Sequence, residues 1–98
     1  MGCIAMEILH QHENGRGRWY LQAEDEILGE MTYYENSAHT ITIDHTEVSE
    51  KLKGTGSGKK LVDAAVAYAR ENQIKIHATC PFAAKVLSNE AFDDVRVS

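Results

Sequence analysis

Apolar and polar residues alternate along the first half of the chain, and the phase of that alternation predicts strands. Ile4, Met6 and Ile8 alternate with Ala5, Glu7 and Leu9, giving a first strand that runs through His10 to Asn14-Gly15, a hairpin signal. Arg18–Ala23 forms a second strand, with Trp19 and Leu21 on one face. After the polar turn Glu24-Asp25-Glu26, Ile27–Glu35 forms a third, with Met31 and Tyr33 in phase. Asn36-Ser37 turns the chain again, and Thr40–Val48 forms a fourth, with Ile41, Ile43 and His45 on one face. Four strands with short connections make an antiparallel meander.

The pattern then changes. Glu50–Gly58 is rich in Lys and Gly and predicts irregular backbone. Gly58–Asn72 reads as a strongly apolar helix, with charges confined to Lys59, Lys60, Asp63, Arg70 and Glu71. Ile74, Ile76 and Ala78 give a fifth strand, and Pro81 suits the first turn of a last helix reaching about Phe92. Strand, helix, strand within one small domain is a crossover, so the fourth and fifth strands run parallel. The expected fold is α+β: one domain over residues 1–98, with 1–5 as an extension, an antiparallel meander, a β-α-β crossover and a C-terminal helix.

Parallel strands end at the same edge of a sheet, and ligands of open α/β sheets bind outside those ends. His45, Glu47, the glycine-rich loop and Cys80 are therefore expected to converge, although they lie far apart in sequence.

Composition narrows the function. The chain has 98 residues and a net charge of −5, with no broad basic excess to neutralise phosphates, which argues against nucleic-acid binding. No apolar run approaches ~20 residues, so no membrane span is expected. Two cysteines, Cys3 and Cys80, make no disulfide scaffold, and a reduced, cytoplasmic protein is the plain expectation. Met6 stands where N-myristoylation after Gly2 wants Ser or Thr.

Against that acidic background, Lys51, Lys53, Lys59 and Lys60 bracket Gly54-Thr55-Gly56-Ser57-Gly58. Alternate glycines before a helix expose backbone N–H groups at a positive helix end, an arrangement that cradles phosphate. It is no Walker loop, because Lys53 stands where the first Gly belongs and Lys60 where Ser or Thr should hold magnesium. It is no dinucleotide fingerprint either, since its third Gly comes one residue early. A solvated, flexible lysine loop is the alternative.

Lys53-Gly54-Thr55-Gly56-Ser57-Gly58 resembles the acyl-CoA pyrophosphate loop of the GNAT N-acetyltransferase superfamily, Gln/Arg-x-x-Gly-x-Gly/Ala, with Lys in the first place. The order of elements is also that superfamily's. His45-Thr46-Glu47-Val48 and Cys80-Pro81-Phe82 resemble the His-Thr-x-Val and Cys-Pro-Phe/Tyr stretches of its minimal one-domain subgroup. The resemblance implies acetyl-CoA or coenzyme A as cofactor. Its pyrophosphate would be held by Lys53, Gly54, Thr55, Gly56, Ser57, Gly58, Lys59 and Lys60, and its pantetheine arm would lie along the fourth strand near Val48. Gly15-Arg16-Gly17 leaves no room for the helices that larger members carry between the first two strands. The acceptor pocket is expected to be reduced or supplied by a partner, and the acceptor, a small molecule or a protein, is left open.

Three residues carry the candidate chemistry. Cys80, before the last helix, reads either as a nucleophile that would take the acetyl group or as a small buried residue at a strand end. His45 reads as a general base facing inward or as a hydrogen-bonded core histidine. Glu47, in the same phase, reads as a base, as a group orienting His45, or as a solvated carboxylate. His10-x-His12 offers two imidazoles on one strand face, too few for a metal site. The function expected is acetyl transfer from acetyl-CoA to an amine or thiol, N-acetylation foremost, with a cysteine intermediate as one route. A non-catalytic CoA-binding module or sensor is the alternative.

Overall fold

The structure is a computed structural model that describes residues 7–37, 39–52, 54 and 56–97. The first-strand positions Ile4 and Met6, the extension with Gly2 and Cys3, and the loop residues Lys53 and Thr55 lie outside the described residues.

Five strands form one sheet in chain order: β1 (Glu7–Glu13), β2 (Arg16–Ala23), β3 (Glu26–Ser37), β4 (Thr40–Val48) and β5 (Lys75–Ala78). The first four are antiparallel neighbours and β4 pairs with β5 in parallel, as the crossover requires. Helix α1 (Ser57–Asn72) makes the crossover, and α2 (Pro81–Leu87) follows β5.

Cross-strand pairs share a face, so the register assigns the core. Trp19 opposes Met31, Tyr33 opposes Ile43 and Ile41 opposes Ile76; all six are buried. Leu61, Val62, Ala65, Val66 and Ala69 of α1 and Ala83 and Leu87 of α2 join the same cluster. The spacing of the α1 residues is that of one helix face, and burying each large aliphatic side chain contributes roughly 1.5–3 kcal/mol. The other face of the sheet is polar: Arg18 contacts Glu30 at 2.5 Å, Arg16 contacts Asp44 at 3.6 Å, and Thr32 donates to Asp44 at 2.6 Å.

Three expectations need correction. Asn36-Ser37 is not a turn but the end of β3, where Asn36 accepts a hydrogen bond from the buried Thr42 hydroxyl at 2.5 Å. The last helix stops at Leu87 rather than near Phe92. Asn89 instead caps a 3-10 turn over Glu90–Phe92, its side chain accepting from the Ala91 N–H at 2.9 Å. Within the supposedly irregular Glu50–Gly58, Glu50–Leu52 forms another 3-10 turn.

Candidate functional site

β4 and β5 separate at one residue. The Ile43 carbonyl accepts from the N–H groups of both Thr79 (3.0 Å) and Cys80 (3.3 Å), and pairing between the two strands ends there. Beyond that fork, β4 continues through Thr46 and Val48 paired with β3 but no longer with β5. The Ser49 N–H donates across to the Leu28 carbonyl of β3. By strand alternation Thr46 and Val48 therefore turn their backbone polar groups to the opposite, open edge.

The glycine loop closes the other side. Gly54 and Gly56 have φ of 81° and 76°, a left-handed conformation that glycine adopts readily. Gly56 is the N-cap of α1, which starts with no side-chain cap. The helical ladder begins with the Lys60 N–H donating to the Gly56 carbonyl at 3.2 Å, so the N–H groups of Gly58 and Lys59 point out of the helix end. Lys60 is exposed; Lys59 is exposed but pairs with Asp63 at 3.2 Å, and Lys51 pairs with Glu26 at 3.0 Å.

Between loop and open edge lies a cavity of about 330 Å³ lined by Thr46, Val48, Leu52, Gly54, Gly56, Ser57, Gly58 and Phe82. Val48, Leu52 and Phe82 make its walls apolar, while the glycines leave helix-end backbone at its floor. Those two surfaces fit a ligand with an apolar arm and a phosphate group. The Phe82 ring packs against Gly58, where an added Cβ would stand 2.7 Å from Cζ.

Cys80, 7% exposed, lies behind the lining residue Thr46, its thiol donating to the Thr46 hydroxyl at 3.5 Å. Burial pushes the thiol's pKa up. The hydrogen bond with Thr46 and those with backbone at Ala83, Phe82 and Thr46 outweigh burial, and the net shift is downward, toward the thiolate.

The expectation that His45 faces inward with Ile43 is overturned. Tyr33 opposes Ile43 and Thr32 opposes His45, so Asp44 is an extra residue, a bulge. The bulge reverses the phase of everything after it: Thr46 and Val48 turn to the helix side, and His45 and Glu47 turn to the polar face. His45 and Glu47 are 60% and 78% exposed and contact each other at 3.8 Å. Of the expected residues, the fold brings together Val48, Gly54, Gly56, Ser57, Gly58 and Cys80. The reading of the residues missed Thr46, Leu52 and Phe82. One signal was present for Thr46: Val48 is apolar yet stands an odd number of positions after Ile43, which strict alternation does not allow.

A sequence model of the GCN5-related N-acetyl-transferase family matches residues 18–95. No curated protein sequence matches this chain. Among solved structures, the fold is similar to a protein described as a GCN5-like N-acetyltransferase from Staphylococcus aureus, with 40% identity and a TM-score of 0.72, covering 100% of this chain and 92% of that one. It is also similar in fold to a ribosomal-protein-alanine N-acetyltransferase from Brucella melitensis biovar Abortus 2308 (16% identity, TM-score 0.66, 88% of this chain and 64% of that one). A GNAT family acetyltransferase from Elizabethkingia anophelis, solved with acetyl-CoA bound, shares the fold over 63% of this chain and 41% of its own (22% identity, TM-score 0.56). The family match spans most of β2, then β3, β4, the glycine loop, the crossover helix and the segment after Cys80, so the fork, the cradle and the thiol all fall inside it: the chain belongs to the GCN5-related N-acetyltransferase family.

Proposed function

We propose that this protein is an acetyl-CoA-dependent N-acetyltransferase that passes the acetyl group through Cys80 to an amine. Acetyl-CoA is the donor used by the family, and bound here it would supply an activated acyl group as a thioester. The N–H groups of Gly58 and Lys59 would hold its pyrophosphate. Val48, Leu52 and Phe82 would flank the pantetheine arm, and the open edge at Thr46 and Val48 would offer it backbone hydrogen bonds. Lys60 would add charge at the helix start, with Lys53 and Thr55 completing the loop.

The observation that supports the reading is the place of the thiol: buried, hydrogen-bonded to the cavity-lining Thr46, with its pKa lowered. In the first half-reaction the Cys80 thiolate attacks the thioester carbonyl carbon. A bond forms between Cys80 Sγ and the acetyl carbon, the bond to the CoA sulfur breaks, and that sulfur takes up the proton Cys80 gave up. In the second, a neutral amine attacks acetyl-Cys80, a bond forms between nitrogen and the acetyl carbon as the bond to Cys80 Sγ breaks, and the proton the nitrogen loses passes to Sγ, restoring the Cys80 thiol.

One observation favours a second reading, a module that holds CoA without turnover. Asn14-Gly15 alone joins β1 to β2, so nothing between those strands covers an acceptor. Intact mass after incubation with acetyl-CoA separates the two. Transfer predicts one added acetyl group that persists in Cys3→Ser, is lost in Cys80→Ala and is removed by an added amine. Calorimetric binding with neither added mass nor CoA release supports the module. No binding at all overturns both.

A further inference from the structure

The Thr46 hydroxyl is the polar side-chain group that touches the Cys80 sulfur, at 3.5 Å, from a strand 34 positions away in sequence. It is there because of the bulge. Were Asp44 paired regularly instead of bulged, strict alternation from Ile43 would send Thr46 to the polar face and His45 to the helix side. The fork adds a second constraint. The Cys80 N–H is held by the Ile43 carbonyl at 3.3 Å, and Thr46 lies three residues beyond that same Ile43. The two side chains therefore meet where the strands part, and Thr46 also lines the cavity.

We propose that Thr46 is a positioning residue for the Cys80 thiol. Its hydroxyl fixes the direction of the thiol while the sulfur is protonated, and it reverses to donate a hydrogen bond once the sulfur is ionised. A hydroxyl can do both because it carries one donor and two acceptor sites.

The electrostatic surroundings agree. After the opposing effect of burial, the hydrogen bond with Thr46 is the largest influence on the thiol, and all the others are hydrogen bonds with backbone. The charged and titratable groups of the elements around Cys80 stand apart from it. His45 and Glu47 of β4 and His77 of β5 lie on the polar face; Lys59 and Lys60 of α1 and Lys85 of α2 are exposed. Among the described residues, a histidine or lysine partner, the commoner means of activating a thiol, is not what this sulfur faces.

The inference rests on the reading of Cys80 as nucleophile, but its test reads the thiol alone. In a Cys3→Ser background, the rate of Cys80 alkylation by iodoacetamide is followed by intact mass across the pH range, with circular dichroism as the folding control. Thr46→Val, of the same shape without the hydroxyl, is expected to raise the pH midpoint by about one unit, so alkylation near neutral pH slows about tenfold. Thr46→Ser is expected to restore the wild-type midpoint. If Thr46→Val does not fold, Thr46→Ala serves in its place. A valine or alanine variant that titrates like wild type overturns the proposal, as does a serine variant that fails to restore the midpoint. A shifted midpoint in a protein that never retains acetyl would uphold the role of Thr46 while refuting the acetyl-cysteine route. An acetylated Cys80 with an unmoved midpoint would do the reverse.

Discussion

The Phe82 ring lies on the backbone of Gly58: a Cβ built there would approach Cζ to 2.7 Å and Cε2 to 3.0 Å. Phe82 is 41% exposed, so Gly58→Ala would swing the ring outward rather than break the core. Alanine also favours the helix by up to about 1 kcal/mol over glycine. The expected outcome is a melting temperature at or slightly above that of wild type. Affinity for CoA should fall about tenfold, near 1.4 kcal/mol, because the displaced ring no longer forms the cavity wall. Thermal melts and calorimetric titration check both halves, and unchanged affinity would remove Phe82 from the binding surface.

Gly56 behaves differently. Nothing lies within 4 Å of a Cβ placed on it, but its φ of 76° puts an L side chain in the left-handed region. Gly56→Ala therefore costs backbone energy alone, about 1–2 kcal/mol. For a domain of this size that lowers the melting temperature by roughly 4–8 °C per kcal/mol. Urea unfolding of the ligand-free protein measures it. A full-strength loss of CoA binding with no loss of stability would mean that the loop takes this conformation only when occupied.

Much of this site was legible in the sequence because it depends on residue type and order. Gly54, Gly56 and Gly58 ahead of an apolar helix announce a cradle. The strand-helix-strand order places Cys80 beside it. What escaped depends on the phase of a strand. Asp44-His45-Thr46-Glu47 is polar throughout, so no apolar residue reveals that the alternation has slipped until Val48. Asn36 and Ser37 misled for a related reason: turn-forming side chains can sit in a strand when a neighbour such as Thr42 satisfies them. The packing of Phe82 on Gly58 joins two elements that sequence spacing cannot bring together.

His45→Ala should leave turnover within about twofold of wild type, since the side chain is 60% exposed on the face away from the cavity. Cys80→Ala, assayed beside it by CoA release with an amine acceptor, should abolish transfer under the proposed route. A large loss in His45→Ala would show that acid–base work reaches the reaction from the polar face, and would reopen a role for Glu47, its 3.8 Å neighbour.

The edge of the sheet away from the glycine loop should control how stability depends on pH. His10 stacks on Trp19 with ring centroids 4.5 Å apart, and its Nε2 lies 2.6 Å from the Tyr33 hydroxyl, which donates to the neutral imidazole. Burial, then the charge of His12, lowers the His10 pKa. The folded state thus resists protonating it, and stability is present above the ordinary histidine pKa of 6.5 and lost as pH falls below it. Burial, then Tyr68 and Glu35, pushes Tyr33 up to about 12, so its contribution is present below pH 10 and lost as pH rises from there toward 12. His10→Phe keeps an aromatic ring on Trp19 and removes the acid titration. Subtracting its melting temperatures from those of wild type should leave a difference that changes only below about pH 6.5. Tyr33→Phe should change only the alkaline limb. If the His10→Phe difference is flat through the acid range, the histidine is solvated in the folded state and the stack on Trp19 is not maintained in solution.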